Sequence, residues 1–449
     1  MLTLALFLIT EVCVAPPPVP RQQPQWRPRL IVETDAGGDP DDEQSLVRFL
    51  LYSGEWDVEG IIANRAGTRR NENKNPEGTG LGIVRRLIQA YGECHGKLVE
   101  HDPLFPKPER LLEKLVAGYG DGDEGVRLVI AAVDAADQRP VWFLNWGTNE
   151  GAAASCLPRA LDRILKERGE EGYARFKRRL RLICHDNVCG EHTTSIQPPF
   201  PLLVDTFRPA LDGKRWYHRF SALTAKAGGF ELERDLLTGH GPLGALYPTN
   251  TTHRQKEGDT MSFLYLVPTG MNNPEQPGWG SWAGRYGLNS EVPGRTSYWA
   301  NQSDTWRGSQ HRENTLARWA EDLQNDFRAR LEWCVRPYRE ANHAPELVLN
   351  GEPGREILRL TARPGATIEL DSSGTRDPDG QRLGVEWLIY SEAGTYRGEA
   401  SLAGATSSKA TLTVPSDADG KSIHVLLIVR DSGTPPLARY RRAVVECRR

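Results

Sequence analysis

The sequence has no surplus of charge of one sign, no paired CxxC motifs and, after its first residues, no long hydrophobic run. Each absence removes a class of function. Lys and Arg number 56 against 59 Asp and Glu, for a net charge of -3 with no block of like charge. Neither a nucleic acid polymer nor an anionic membrane surface is therefore an implied partner. The seven cysteines (13, 94, 156, 184, 189, 334 and 447) are scattered and form no zinc-type set. Cys184 and Cys189 are close enough to bridge in an exported chain, or to serve as small buried hydrophobes. A membrane span needs roughly 20 apolar residues, and no later segment reaches that. At the start, the apolar run Met1–Thr10 lacks a basic flank and is interrupted by Glu11 before a Pro-rich stretch to Pro28. Residues 1–27 are accordingly expected to be a signal peptide and linker, and the protein to be secreted or periplasmic.

What is present is concentrated in Leu30-Ile-Val-Glu33-Thr34-Asp35-Ala-Gly37-Gly38-Asp39-Pro40-Asp41-Asp42-Glu43. An apolar run of strand length ends in a Gly-Gly turn, and Leu46, Val47, Leu50 and Leu51 follow at helical spacing. In this strand–loop–helix the carboxylates Glu33, Asp35, Asp39, Asp41 and Asp42 meet no Lys or Arg. Like charges so close repel unless they are protonated, solvated or bridged by a cation, and Ca²⁺ takes several carboxylate and carbonyl oxygens at once. Helix capping accounts for Asp39 or Asp41 but not for Asp35, which falls at the strand end where open α/β sheets bind ligands.

A chain of 449 residues is too long for one ordinary domain. Strand-like runs at Asp57–Asn64, Pro140–Trp146 and Leu180–Cys184 alternate with helical patterns at Gly82–Tyr91, Val126–Ala136 and Ala152–Leu165. The expected fold of residues 28–340 is α/β, a mostly parallel sheet with helices on both faces. Loops at Asp35–Asp42, Asn145–Asn149 and His185-Asp186-Asn187 would converge at one sheet edge. Between Gly239 and Trp306 the pattern is loop-rich and aromatic, with Trp279, Trp282, Tyr286, Tyr298, Trp299 and Trp306. Such aromatics either stack on sugar rings or, more often, pack in place of regular structure. Leu316–Cys334 reads as one closing helix and Asn342-His-Ala-Pro345 as a linker. Short alternating runs between turns then indicate an Ig-like β-sandwich over residues 345–449.

Glu33-Thr34-Asp35-Ala-Gly37 with Asp41-Asp42 resembles the nucleoside hydrolase signature Asp-x-Asp-Pro-Gly-x-Asp-Asp. Thr34-Asp35 through Pro40-Asp41-Asp42-Glu-Gln-Ser45 and Trp142-Phe-Leu-Asn-Trp-Gly-Thr-Asn149 resemble more closely the bacterial nucleoside-hydrolase-like family described as cellulose-binding. Glu257-Gly-Asp-Thr260 and Trp279-Gly-Ser-Trp-Ala-Gly-Arg-Tyr286 extend that resemblance, and Asp371-Ser-Ser-Gly374, Asp377-Pro-Asp-Gly380 and Trp387 are similar to polycystic-kidney-disease-type Ig modules. The resemblance implies that Asp35 both ligates Ca²⁺ and acts as base. It further implies that Asp42, the Trp146 carbonyl and Asp259 complete the metal ligands, and that Asp41 contacts sugar hydroxyls. Asn149, Asp186 and Asn187 are the remaining candidates for substrate contact.

Two departures stand out. The Asp35-to-Asp41 spacing is two residues longer than in the nucleoside hydrolase signature, which makes Asp39 part of an insertion, and Gly258 stands where those enzymes often carry a leaving-group His. His185, His192 and His240 are the substitutes available. The expected function is Ca²⁺-dependent hydrolysis of a glycoside by a metal-activated water. The alternatives are a non-catalytic cellulose- or polysaccharide-binding protein that keeps a structural metal site, and an adhesion-type surface protein. The residues neither require nor exclude a homo-oligomer.

Overall fold

The computed structural model describes residues 27–69, 75–120, 122–147, 154–184, 202–205, 220–221, 223–251, 254–288 and 297–449. Strands β1 (Arg29–Thr34), β2 (Asp57–Ala63), β3 (Leu115–Ala117), β4 (Val141–Trp146), β5 (Leu180–Cys184), β6 (Leu202–Asp205), β7 (Gly287–Leu288) and β8 (Ser297–Trp299) form one sheet. Their order is β3-β2-β1-β4-β5-β6-β8-β7, parallel throughout except for β7 against β8. β1 is fully buried because both its faces are covered: Leu30 and Val32 join one core and Ile31 another. Helices α1 (Asp41–Leu51) and α2 (Gly80–His101) contribute to the first core, and α3 (Glu124–Asp134) and α4 (Cys156–Lys177) to the second.

The chain winds outward from β1 to β3 and then crosses to β4 on the other side of β1. Neighbouring connections thus leave in opposite directions between β1 and β4, and at such a switch point the loops beyond the strand ends part to leave a crevice. Thr34 pairs with Trp146 in register, so Asp35 and Gly147 open onto that crevice together.

Several elements differ from their sequence pattern. α2 and α4 run well past the apolar repeat that marks them: Cys94 and Leu98 carry the buried face of α2 onward, and Tyr173 and Phe176 that of α4. The closing helix is two, Asn314–Ala317 and α6 (Ala320–Trp333); earlier in the chain α5, Thr260–Leu264, is a short helix of its own.

The C-terminal strands β9 (Leu358–Ala362), β10 (Thr367–Asp371), β11 (Leu383–Ile389), β12 (Ser401–Ala403), β13 (Lys409–Thr413), β14 (Ser422–Asp431) and β15 (Ala438–Cys447) form two sheets, β9-β15-β14-β11 and β10-β13-β12. Leu370, Trp387, Leu412, Val425, Leu427 and Val445 fill the space between them, as in a β-sandwich. β15 carries Arg439, Arg441 and Arg442, a pattern that hides a strand from sequence reading. All three are buried: Arg439 reaches Asp326 at 2.8 Å, Arg441 the Glu356 carbonyl at 3.0 Å, and Arg442 the Met271 carbonyl at 2.6 Å.

The segment read as a linker is buried as well. Asn342 Nδ2 donates to Asp431 at 3.1 Å and to the Pro435 carbonyl at 2.8 Å, and the His343 backbone N–H donates to Asp379 at 2.7 Å. The aromatic stretch serves the same contact. Trp282 and Tyr286 are buried, the Trp282 indole N–H points to the Tyr440 hydroxyl at 3.4 Å, and Trp279 meets His424 edge to face. Packing rather than sugar stacking accounts for these three. The Trp299 side chain lies outside the described residues. No helix among the described residues is long and apolar enough to cross a membrane.

Candidate functional site

The site begins where β1 stops. The Thr34 hydroxyl donates to Asp42 Oδ1, the Asp35 backbone N–H donates to the same oxygen at 3.1 Å, and the Ala36 N–H donates to Thr34 Oγ1 at 3.1 Å. These bonds fold the loop back so that the first turn of α1 sits against the strand end. Gly37 adopts φ +94, where an L side chain is strained, and a Cβ there would also press on Thr68 at 3.1 Å. Pro40 is the N-cap of α1 and makes no side-chain cap; Asp39 Oδ1 accepts from the Asp41 N–H at 3.5 Å, and Asp41, Asp42 and Glu43 suit the positive end of the helix dipole.

Glu33 separates from the group. It accepts from Asn64 at 3.0 Å, from Asn145 at 3.3 Å, from the Ser155 hydroxyl and from the Cys156 N–H at 2.6 Å. It therefore anchors the first turn of α4 on the opposite face of the sheet and takes no part in the site.

Three of the remaining acids do meet cations, supplied from elsewhere in the chain. Lys256 Nζ lies 3.0 Å from Asp41 and also pairs with Asp39, and Arg65 lies 3.6 Å from Asp35. Asp39 is thus a member of the cluster despite its place in the insertion, and Asp41 spends one oxygen on a lysine. One carboxylate oxygen each from Asp39, Asp41 and Asp42 lies within 4.8 Å of the others.

Asp259 precedes α5 (Thr260–Leu264) without capping it. Its placement depends on Glu257, which is fully buried at φ 46 and accepts from Arg48 at 2.5 and 2.9 Å, Tyr247 at 3.0 Å, Gln255 at 2.8 Å and Thr260 at 3.0 Å. Trp146 ties the other side: its indole N–H donates to Ser262 Oγ at 2.7 Å, and that hydroxyl donates to the Asp259 carbonyl at 2.7 Å. The ends of β1 and β4, α1 and the Asp259 turn are in this way locked together.

Electrostatics single out three of the aspartates. Burial pushes Asp35 up to about 7, against the pull of its contact with Asp42, with the charge of Asp259 adding to the rise. Burial followed by the charge of Asp39 pushes Asp259 up to about 7, opposed by Lys256. Asp42 is raised well above the usual range by burial and by the charges of Asp259 and Asp35. Asp39 and Asp41 share an ammonium, whereas Asp35, Asp42 and Asp259 are raised, each chiefly by burial. Such a trio takes up either protons or one more positive charge. Its donors are all oxygens, which suits a hard divalent ion and not a thiophilic one. A Cβ on Gly147 would lie 3.7 Å from Asp35 Oδ1, so the peptide following Trp146 runs beside the trio.

Of the sequence candidates, Asp35, Asp41, Asp42, Trp146 and Asp259 come together. Asn149, Asp186 and Asn187, along with His185, His192 and Cys189, lie outside the described residues. His240 does not join the site: its neighbours are Thr238, Asp235, Arg336 and Arg328. Sequence reasoning missed Lys256, Arg65, Arg48 and Glu257. Only Lys256 and Glu257 carried a signal, since they adjoin the Gly258-Asp259 pair already singled out.

Residues 29–286 match the family model described as "Cellulose-binding Sde182, nucleoside hydrolase-like domain", and residues 367–447 match "Cellulose-binding protein Sde0182, C-terminal domain". A solved nucleoside hydrolase-related hypothetical protein from Saccharophagus degradans, described as associated with carbohydrate metabolism, is 32% identical to this chain. The match covers 94% of this chain and 100% of that one, with a TM-score of 0.76. The PKD domain from KIAA 1837 protein is 22% identical over 20% of this chain and 80% of its own, and its TM-score of 0.16 carries no argument. No curated protein matches.

Proposed function

The chain belongs to the family of the Sde182 nucleoside hydrolase-like domain, and from that premise we propose that it is a carbohydrate-associated protein that hydrolyses a glycosidic bond with the help of one Ca²⁺. The observation that carries the proposal is the trio Asp35, Asp42 and Asp259, brought together at the switch point between β1 and β4 and raised chiefly by burial. These three carboxylates and the Trp146 carbonyl would hold the ion. When bound, a hard divalent ion supplies a Lewis-acid centre that makes water easier to deprotonate.

The chain's own groups supply the rest. The Asp35 side chain is 19% exposed, at the open side of the trio, and is the group placed to accept a proton. A carboxyl poised near neutrality is suited to a general base. Asp42 is held by Thr34 and the Asp35 N–H, which fixes the loop around the reacting position. Among the described residues no histidine adjoins the trio, and Gly258 occupies the turn beside Asp259, so the leaving group receives no imidazole from that turn.

The family's own description favours a second reading, a polysaccharide-binding protein that retains the metal without turnover. Calcium titration and a screen on nucleosides and oligosaccharides separate the two. The native chain is expected to bind about one Ca²⁺ with a rise in melting temperature, and Asp42→Ala to lose both. Asp35→Asn should abolish turnover and leave retention on cellulose intact. Retention without any turnover by the native chain favours the second reading. No divalent ion bound by the native chain, with stability unchanged in Asp42→Ala, defeats the metal site altogether.

A further inference from the structure

We propose that Lys256 is a built-in counter-cation: its ammonium fills the place between Asp39 and Asp41 where a second metal ion would sit, and so confines a divalent ion to Asp35, Asp42 and Asp259. The inference rests on reading those three as a cation seat, but its test stands apart from that reading.

The geometry shows a cation position that is already filled. Oxygens of Asp39, Asp41 and Asp42 lie within 4.8 Å of one another, a spread that one metal ion spans, and the Lys256 ammonium contacts the first two, at 3.0 Å in the case of Asp41. An ammonium has donors only, so carboxylates turned toward it are turned as they would be toward a metal.

Lys256 is also delivered to this position by the fold. Its side chain is 19% exposed. Its backbone N–H donates to Gln44 Oε1 at 2.7 Å, and the Glu257 N–H donates to the same oxygen at 3.0 Å. The Gln44 amide donates in turn to the Pro248 carbonyl at 2.7 Å and the Arg254 carbonyl at 2.8 Å. Arg254 and Glu257, which flank the lysine, take left-handed φ values of 60 and 46, and Glu257 is locked by Arg48. A flexible surface lysine needs no such clamp, since its rotamer entropy normally keeps it free.

Charge gives the arrangement its purpose. With an ammonium on Asp39 and Asp41, a divalent ion beside them is repelled, whereas Asp35 meets Arg65 only at 3.6 Å and Asp42 is held by the Thr34 hydroxyl and the Asp35 N–H. Lys256 thereby does for Asp39 and Asp41 what a second ion would do, without drawing on ions from solution. The longer Asp35-to-Asp41 spacing, which adds Asp39, and the lysine that answers it belong to one device.

Isothermal titration of the full chain with Ca²⁺ at neutral pH is the test. Lys256→Met is expected to bind one ion more than the native chain, Lys256→Arg the native number, and the double variant Asp39→Asn/Lys256→Met to lose the extra ion. Equal stoichiometry in the native chain and Lys256→Met overturns the proposal. If the native chain binds none and Lys256→Met binds one, the lysine's place in a cation position stands, and the three-aspartate seat and the confinement of an ion to it fall. If the native chain binds one and Lys256→Met gains none, the seat stands and the proposal falls. Should Lys256→Met fold only with Ca²⁺ present, the missing cation is demonstrated directly.

A second measurement needs no variant. Acetylation of the native chain by an N-hydroxysuccinimide ester, read by peptide mass spectrometry, should modify Lys256 at least several-fold more slowly than Lys409, whose side chain is 56% exposed, both with and without Ca²⁺. Acceleration of Lys256 modification by Ca²⁺ shows that the ion displaces the lysine and overturns the proposal.

Discussion

Asp35 and Asp259, both pushed up to about 7 from an ordinary 3.8, hold their protons more tightly in the folded chain than in the unfolded one. Without a metal their contribution to stability is present below about pH 4 and is lost as pH rises through 7. Glu55 and Asp326 shift the other way: burial alone would raise them, but Arg355 and Arg330 on Glu55, and Arg330 and Arg439 on Asp326, pull both below the usual range. Their contribution is complete above about pH 5, while His101 and His424, lowered by burial to about 4 and about 3, add stability as pH rises from about 4 to 6.5 and so oppose the site over that interval. Relative to Asp35→Asn, which carries the same histidines, the melting temperature of the chelator-treated native chain should fall from about pH 4 to 7, and Ca²⁺ should flatten that difference; a difference independent of pH without Ca²⁺ contradicts the raised Asp35. At this scale Asp35 and Asp42 were legible because the strand end and helix start are local patterns. Glu33 was not separable from them, because its removal to the other face depends on β1 ending at Thr34 and the chain turning there.

The segment from Lys256 to Asp259 and α1 act as a pair of elements. Arg48 lies on α1 among residues at helical spacing, where a charge ordinarily marks the solvent face, yet it is fully buried with its guanidinium 3.6 Å from the Phe327 ring centre and its Nε 2.5 Å from Glu257. Removing one partner of a buried ion pair leaves the other charge uncompensated, at a cost of about 3–5 kcal/mol. Glu257→Gln is therefore expected to lower the urea midpoint strongly and also to weaken Ca²⁺ binding, since Asp259 follows it by two residues. Loss of stability with unchanged Ca²⁺ affinity would confine Glu257 to holding the fold. Neither residue announces this in sequence, because the partners stand 209 positions apart.

At the scale of the molecule the α/β part and the sandwich share a core. Tyr390, Leu426, Ile428 and Tyr440 belong to the same apolar cluster as Trp282, Trp319 and Leu331. Arg330 joins Glu55 and Asp326, Glu55 continues to Arg355 at 3.1 Å, and Asp322 meets Arg430 at 2.9 Å. Calorimetry of the full chain should accordingly show one cooperative transition; two well-separated transitions would mean that the parts are stable independently. β14 held a clue to this contact. In Ile423-His-Val-Leu-Leu-Ile-Val429, Val425, Leu427 and Val429 enter the sandwich core while Leu426 and Ile428 enter the shared one, and a strand apolar on both sides expects cover on both.

By itself the sequence determined the alternation of β1, β2, β4 and β5 with helices, the change to short sandwich strands in the C-terminal part, and the loop that ends β1, because periodicity and turn chemistry act over a few residues. Only the tertiary structure decided which acids share a site and which of them meet a lysine or an arginine. Lys256 reaches Asp39 across 217 positions, and charge balance in a buried pocket depends on whatever the fold brings within a few ångströms, however far apart along the chain.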